Sequence, residues 1–258
     1  MSDSSNKHLQ ELRAAAFTYP AIDNHAHALL RPENCTDVPF EGLVSHVEGE
    51  ALLRDASHTL ACHRATQELS KLYELPEGSS WEEVKARRAH VDYIDLCRRS
   101  FGSSGIQCIL LDDGLGVKEM LQDIPWHDQF TQSPTRRIVR IETIAEDILK
   151  KVFAEYKDHK SAFLTFTDEL KKYLISQIQG GHAVALKTVV CYRSGLAVPQ
   201  KPLDSESPEL LTAFADFYNK QKNLSKVRLQ EKLLNDYVVH LAMDISTIYD
   251  VPSKRLFD

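Results

Sequence analysis

Two histidines near the start of the chain have the spacing of a metal-binding pair. They lie in residues 21–29, which predict a β-strand, and side chains in a strand point alternately to opposite faces. His25 and His27 are therefore expected on the same face of this strand. Two neutral imidazoles on one face suit a borderline metal such as zinc. The alternative is that both are ordinary strand histidines, one of them hydrogen-bonded within a core.

Charged side chains accompany the later predicted strands as well. Asp112 and Asp113 follow a buried apolar run, Glu142 follows a short strand, and Lys187 and Arg193 lie in and after a fourth strand. The carboxyl ends of the strands form the active-site face of a β/α barrel, so we expect these side chains to gather there. The alternative is that they are loop charges, since loops are generally polar.

The elements that must position these side chains alternate along the chain. Strands are predicted over residues 21–29, 106–111, 137–141 and 182–191. Apolar spacing predicts helices over residues 7–18, 52–75, 80–99, 143–153, 167–178, 208–219 and 229–248, with capping boxes formed by Ser80 with Glu83 and by Thr143 with Glu146. This order predicts an α/β fold in which about four parallel strands alternate with helices, with a long helical insertion after strand one.

The composition excludes several classes of protein. The 258 residues are 43% hydrophobic and 26% charged, as in an ordinary soluble globular protein. A formal net charge of −6 argues against a general nucleic-acid binder, and no apolar run approaches the roughly 20 residues of a membrane span. Residues 1–8 are polar, unlike a signal peptide, and five dispersed cysteines favour reduced thiols. We therefore expect a cytoplasmic protein that binds neither nucleic acid nor a membrane.

Several blocks of the sequence resemble one family. Residues 22–27, I-D-N-H-A-H, look like the strand-one metal motif of the amidohydrolase superfamily. Residues 109–114, 140–143 and 186–196 are similar to the amidohydrolase half of the fungal FluG-like developmental regulators and the plant nodulin/glutamine synthetase-like proteins. The resemblance covers about residues 12–252, and the Y-R-S-G-L block at 192–196 is its most specific element.

The resemblance implies a metal-dependent hydrolase of the amidohydrolase-related family that acts on a small molecule. Because only four of the eight expected strands are present, it also implies an incomplete TIM-like (β/α) barrel. The metal of this hydrolase, zinc or alternatively manganese, is expected on His25 and His27, with further histidines from strands five and six and an aspartate from strand eight. Such a metal lowers the pKa of a bound water, and the hydroxide then hydrolyses a C–N or similar bond. Lys187 matches a strand-four position that in some members bridges two metals, so it is a third candidate ligand or, alternatively, an anion-binding group.

The resemblance also implies residues for substrate binding. Arg193 is expected to hold a substrate carboxylate in a bidentate pair, although a surface salt bridge would explain the same residue. Asp112, Asp113 and Glu142 are further candidates because they follow the strands. The catalytic acid or base is expected in the strands that this sequence does not contain.

The sequence departs from the family pattern after Pro252. A run like Q-x-H-T-G-x-G-D is expected there, and residues 253–258 replace it. We therefore interpret residues 1–252 as the N-terminal half of the barrel and residues 253–258 as a tail outside the family, in a truncated chain. Two ligands fall short of the three that a catalytic zinc needs, so activity is expected to be impaired. The open sheet edges predict association between copies of the chain.

Three functional hypotheses follow. The first is a metal-dependent hydrolase, which should carry bound zinc or manganese. The second is a non-catalytic truncated isoform, or a fragment of a longer amidohydrolase/glutamine synthetase-like regulatory protein, which should be insensitive to chelators. The third is a metal-free parallel α/β enzyme that uses Lys187 and the acids, and Lys187→Ala should then abolish its activity.

Overall fold

The structure is a computed structural model that describes residues 2–102 and 104–255. Its strands are β1 (Ala21–His27), β2 (Ile106–Asp112), β3 (Arg136–Arg140), β4 (Ala185–Thr188) and β5 (Ser253–Arg255). Its helices are α1 (Ser2–Thr18), α2 (Glu50–Asp55), α3 (Leu60–Leu72), α4 (Trp81–Ala89), α5 (Tyr93–Gly102), α6 (Ile141–Glu155), α7 (His159–Gln179), α8 (Pro208–Gln221) and α9 (Lys232–Ile248).

The strands form one sheet in chain order, β1-β2-β3-β4-β5. The pairs β2–β3, β3–β4 and β4–β5 are all parallel. Helices α6 and α7 connect β3 to β4, α8 and α9 connect β4 to β5, and α2 to α5 fill the long connection after β1. Alternation of parallel strands with helices defines an α/β architecture. The predicted fold class, an incomplete TIM-like barrel with a helical insertion after strand one, is confirmed.

The register of the parallel strands brings charged residues onto one face. Asp112 aligns with Ile138, and Arg140 aligns with Lys187. Aligned residues in neighbouring strands point to the same face, and Ile138 and Arg140 share a face because they are two residues apart. Asp112, Arg140 and Lys187 therefore project from one side of the sheet.

The chain divides into two compact units. The first comprises Met1–Asn24, Ala28–Ile109 and Val117–Thr135, and the second comprises His25–His27, Leu110–Gly116 and Arg136–Asp258. The carboxyl ends of β1 and β2 thus belong to the second unit, together with β3, β4 and β5. All residues singled out in the sequence for site chemistry lie in this second unit.

Trp81, at the start of α4, is buried in the first unit. Its indole stacks on Phe40 with ring centroids 4.9 Å apart, and its Nε1 donates to Glu41 Oε1 over 3.1 Å. Lys85 Nζ pairs with the same carboxylate oxygen at 2.7 Å. Because the indole N–H and the buried acid satisfy each other, this polar contact can lie within an apolar core.

Two predicted helices of the first unit are each divided in the structure. The tract predicted over residues 52–75 is α2 and α3, because the Thr59 side chain accepts from the Cys62 N–H and begins a new helix. The helix predicted from Ser80 is α4 and α5, because the Asp92 side chain accepts from the N–H groups of Ile94 and Asp95. The capping box at Ser80 is confirmed.

The core of the second unit lies between α6, α7, α8, α9 and the strands β3 and β4. Its largest fully buried side chains include Phe163, Phe166 and Phe214, and the rings of Phe163 and Phe214 lie 4.8 Å apart. Val139 of β3 and Leu186 of β4 belong to the same cluster. Each buried side chain of this size contributes about 1.5–3 kcal/mol, so this packing fixes the strands that carry the charged residues.

Two expectations for the second unit are wrong in detail. Strand four was expected over residues 182–191, but β4 is only Ala185–Thr188, and a 3-10 turn follows at Val190–Tyr192. The capping box at Thr143 is absent, because α6 already begins at Ile141 and its N-cap residue Arg140 makes no side-chain capping bond.

The end of the chain adds a strand to the four that were expected. Ser253–Arg255, which we assigned to a tail, form β5 and pair with β4 in parallel. Residues 256–258 of that tail lie outside the described residues. None of the helices in the described part of the chain is long and apolar enough to cross a membrane.

Candidate functional site

The two histidines of β1 lie at the carboxyl end of that strand. Their ring centroids are 5.9 Å apart with an interplanar angle of 70°. His25 is exposed, whereas the His27 side chain is about one-third exposed, at 34%. His27 Nδ1 lies 3.3 Å from the backbone oxygen of Asp112. A ring that donates its Nδ1 proton to this oxygen presents an unprotonated Nε2, the form in which imidazole binds a metal.

Burial also determines the charge of His27. It lowers the pKa of the His27 imidazole, although the neighbouring Asp112 raises it in part. The lowered pKa favours the neutral ring at pH 7, because the ordinary histidine pKa is already near 6.5. A neutral imidazole is the protonation state that both a metal ligand and a general base require.

Asp112 ends β2 and is the centre of a buried ionic cluster. Its Oδ2 accepts from Lys187 Nζ at 2.7 Å and from Arg140 Nε at 3.0 Å, and its Oδ1 accepts from the Gly114 N–H at 2.8 Å. Burial raises the pKa of this carboxyl, but the hydrogen bonds from Arg140 and Lys187 outweigh burial and hold the pKa below its ordinary value. Asp112 is therefore ionised at neutral pH.

Lys187 is the most buried cation of this cluster. Its side chain is 2% exposed, as is that of Asp112. A buried ammonium is costly without a counter-charge, and the parallel register of β3 and β4 places Arg140 beside it as a second cation. Two cations share one carboxylate, so the cluster carries an excess positive charge while His27 is neutral. We name His25, His27, Asp112, Arg140 and Lys187 the strand-end cluster.

Glu142 lies in the first turn of α6 and is almost fully buried. Its Oε1 accepts from the Thr188 hydroxyl and, at 2.9 Å, from the Val189 N–H. Its Oε2 has no hydrogen-bond partner among the described residues. Burial raises the pKa of this carboxyl, and the bonds from Thr188 and Val189 offset only part of the rise. Glu142 thus holds the end of β4 against the start of α6.

The last two candidates take part in separate ion pairs. Arg193 Nη1 binds Glu146 Oε1 at 2.5 Å, and the same oxygen accepts from the Leu229 N–H at 2.8 Å. Asp113 Oδ2 accepts from Arg137 Nε at 2.8 Å. Because its side chain is only 9% exposed, Arg193 is a largely buried ion-pair partner rather than a surface one.

The structure thus brings four of the predicted residues together, namely His25, His27, Asp112 and Lys187, and adds Arg140. Arg140 lies within the predicted third strand and has no predicted role, although it is the last residue of β3. The signal that would have found it is its position, since it ends β3 as Asp112 ends β2. Asp113, Glu142 and Arg193 lie in contacts of their own.

The donor set of the strand-end cluster fits only part of a metal site. The two imidazoles are suitable donors, but His27 Nδ1 is 4.0 Å from Asp112 Oδ2, and both oxygens of Asp112 already accept hydrogen bonds from other groups. Residues 2–102 and 104–255 contain no group of three His, Cys, Asp or Glu that could hold a metal. A catalytic zinc needs three protein ligands, and the described residues do not provide that set.

The fold and the strand-end cluster define an incomplete β/α barrel with polar groups at the carboxyl ends of its strands. No protein-family model matches the chain. The chain is 34% identical over 265 residues to Protein fluG of Emericella nidulans, a match that covers 96% of this chain and 30% of fluG. It thus spans less than a third of that relative.

A solved structure shares the architecture. It is a “putative metal-dependent hydrolase” from Lactobacillus casei ATCC 334, with a TM-score of 0.67 and 19% sequence identity. The match covers 94% of this chain and 59% of that one. At this identity the likeness establishes a common fold, and it supports the barrel architecture derived from the sheet.

Proposed function

We propose that this chain is part of a metal-dependent hydrolase of the amidohydrolase-related type, which acts on a C–N or similar bond of a small molecule. In this proposal His25 and His27 are metal ligands, with zinc as the first candidate and manganese as the second, and Lys187 is a third candidate ligand. Arg193, Asp112, Asp113 and Glu142 are candidates for substrate binding. The protein acts in the cytoplasm.

The observation that carries the proposal is the juxtaposition of His27 with the buried Asp112–Lys187 pair. Three strands contribute these side chains, and all three end at the same edge of the sheet. The carboxyl edge of the strands is where β/α barrels hold their catalytic groups. Supporting evidence comes from the similarity to fluG and from the name of the Lactobacillus casei protein.

The described residues have chemistry of their own to contribute. The neutral imidazole of His27 can bind a metal or accept a proton, and Asp112 holds it in place through its backbone oxygen. Lys187 and Arg140 give the site an excess of positive charge, which favours a negatively charged group or transition state. Because the described residues lack a third ligand, we derive no catalytic step through a metal.

Metal analysis of the purified protein tests the proposal. We expect about one zinc or manganese ion per chain, and its loss in the double variant His25→Ala with His27→Ala. The matched control is His58→Ala with His63→Ala, because both of these histidines are exposed and lie outside the site. The control should keep the metal content of the unmodified protein.

The same preparation discriminates between the alternatives. Protein without bound metal, whose stability is unchanged by a chelator, would contradict the proposal and favour the non-catalytic hypothesis. Hydrolytic activity that persists without metal and disappears in Lys187→Ala would instead favour the metal-free enzyme. Metal content, chelator sensitivity and the activity of Lys187→Ala together distinguish these two outcomes.

A further inference from the structure

A polar cavity of about 410 Å³ opens beside the strand-end cluster, within the second unit. The loop after β2, the start of α6, the turn after β4 and the segment between α8 and α9 all contribute to its wall. We name it the basic cavity for the cations that line it, which are Arg140, Lys150, Arg193, Lys226 and Arg228. Its volume is in the range of pockets that hold small organic molecules.

The charge of the basic cavity is opposite to that of the chain. Five cations line it against two acids, Glu146 and Asp147, although the chain as a whole carries a formal charge of −6. Arg193 is neutralised by Glu146, and Arg140 by Asp112. Lys150, Lys226 and Arg228 form no ion pair with any residue that the structure describes. Three cations therefore face one remaining acid.

The cations that line the basic cavity differ in burial. The Arg140 and Arg193 side chains are only 11% and 9% exposed, and each is fixed by a carboxylate. Lys150, Lys226 and Arg228 are exposed at the rim. Guanidinium groups that are already held in ion pairs lose little side-chain entropy when an anion binds beside them.

Gly114 allows the loop after β2 to approach this wall closely. A Cβ at this position would lie 2.8 Å from Arg140 Cβ and 2.9 Å from Thr143 Oγ1, closer than any real contact. The absence of a side chain therefore lets the loop of residues 114–116 pack on Arg140 at the edge of the cavity. The close approach couples the wall of the basic cavity to the Asp112 ion pair.

We infer that the basic cavity binds the carboxylate or phosphate group of a small organic anion. Within the proposed function, on which this assignment of a substrate class rests, the anion is a part of the substrate remote from the bond that is cleaved. The unneutralised cations attract it, and Arg140 links its position to the strand-end cluster. Both groups share the chemistry that guanidinium and ammonium groups recognise, namely a compact anion with several acceptor oxygens.

The test uses the full chain in the presence of a chelator, so that anion binding is measured without a metal. Succinate and inorganic phosphate are titrated separately and followed by isothermal titration calorimetry. The double variant Lys226→Gln with Arg228→Gln should weaken binding of at least one anion by about tenfold or more, as loss of two charge-assisted contacts predicts. Preference for succinate or for phosphate tells which group the cavity takes.

The matched control is Lys157→Gln with Lys160→Gln, since these lysines are exposed and lie outside the basic cavity. It makes the same change in net charge and should leave binding unchanged. Equal weakening in both double variants, or no binding of either anion to the unmodified chain, would overturn the inference. If the protein purifies without zinc or manganese but still binds an anion in this titration, the basic cavity is retained and only the proposed hydrolase fails.

Discussion

At the scale of single residues, the strand-end cluster depends on one buried carboxylate. Asp112 is the counter-charge of both Lys187 and Arg140, whose cationic groups lie within 3.0 Å of its Oδ2. Breaking a buried ion pair by removing one partner is costly, because the remaining charge stays buried without compensation. Asp112 therefore stabilises two strands besides its own.

Asp112→Asn should lower the free energy of unfolding by about 3–5 kcal/mol, because it leaves two buried cations without a counter-charge. Lys187→Met should lower the free energy of unfolding by a smaller amount, because Arg140 still neutralises Asp112. Urea denaturation followed by circular dichroism measures both. Asp168→Asn is the control, because Asp168 forms a surface pair with Lys172 and its loss should be hard to detect. If Asp112→Asn and Asp168→Asn lower the free energy of unfolding equally, Asp112 is not the counter-charge on which the strand-end cluster depends.

Glu142 makes stability depend on pH in a predictable direction. Burial raises its pKa in the folded protein, so the folded state binds its proton more tightly than the unfolded state. Glu142 therefore reduces stability as pH rises above about 4.3, the ordinary glutamate pKa, through the raised value. Below that window both states are protonated and the effect vanishes.

Glu142→Gln should remove this loss, so the variant should gain stability relative to the unmodified protein as pH increases through the same window. Urea denaturation at a series of pH values measures the difference. Glu77→Gln, an exposed change of the same kind, serves as control and should follow the unmodified protein. A pH-independent difference for Glu142→Gln would show that the carboxyl proton is not responsible.

At the scale of elements, strand positions were readable from the sequence, but the ends of elements were not. Ile106–Asp112 is an apolar run and was predicted almost to the residue. The end of β4 depends instead on Glu142, which lies 46 residues before Thr188 in the chain and accepts a hydrogen bond from its hydroxyl group. Local patterns do not contain such distant contacts. The same holds for Glu146, which binds Arg193 and Leu229 instead of capping α6.

The same distinction applies to the site, where features of the local sequence could be predicted and contacts between distant residues could not. The histidine spacing of β1 and the acid at the end of β2 are local features, and both were recognised. That Arg140 shares the carboxylate of Asp112 with Lys187 follows from the register of three strands, which the sequence does not state. β5 was missed because Ser253–Arg255 is short and polar and becomes a strand only by pairing with β4.

The close packing of the loop after β2 on Arg140 can be tested by adding one methyl group at Gly114. Gly114→Ala should push Arg140 away from Asp112, because the new Cβ would lie within 2.9 Å of two Arg140 carbons. We expect a loss of about 1–3 kcal/mol, as for overpacking elsewhere. Gly42→Ala is the control, since a Cβ at Gly42 would have no atom within 4 Å and its effect should be near zero. If Gly114→Ala leaves the free energy of unfolding unchanged, the loop can move to accommodate the new methyl group, and the predicted crowding is wrong.

At the scale of the whole molecule, the sheet ends in edge strands. β1 is the first strand in the sheet order, and its Ile22 is 61% exposed. Edge strands with exposed apolar side chains readily pair with other chains. The predicted homo-oligomer is consistent with this surface and stays a prediction.

Ile22→Lys should shift the protein towards the monomer, because a charged side chain on an edge strand opposes pairing. Size-exclusion chromatography with light scattering measures the mass. Leu164→Lys is the control, since Leu164 is 68% exposed on α7 and lies outside the sheet. A monomer in the unmodified protein, or the same shift in both variants, would rule out association through β1.

The central claim is that His25 and His27 together hold a metal at the carboxyl edge of the sheet. X-ray absorption spectroscopy of the zinc-loaded chain tests it most directly, because it reports the ligands of the metal itself. We predict imidazole scattering at a Zn–N distance of about 2.0–2.1 Å, lost in the His25→Ala, His27→Ala double variant and kept in the His58→Ala, His63→Ala control. A spectrum that is the same in all three proteins would contradict the account.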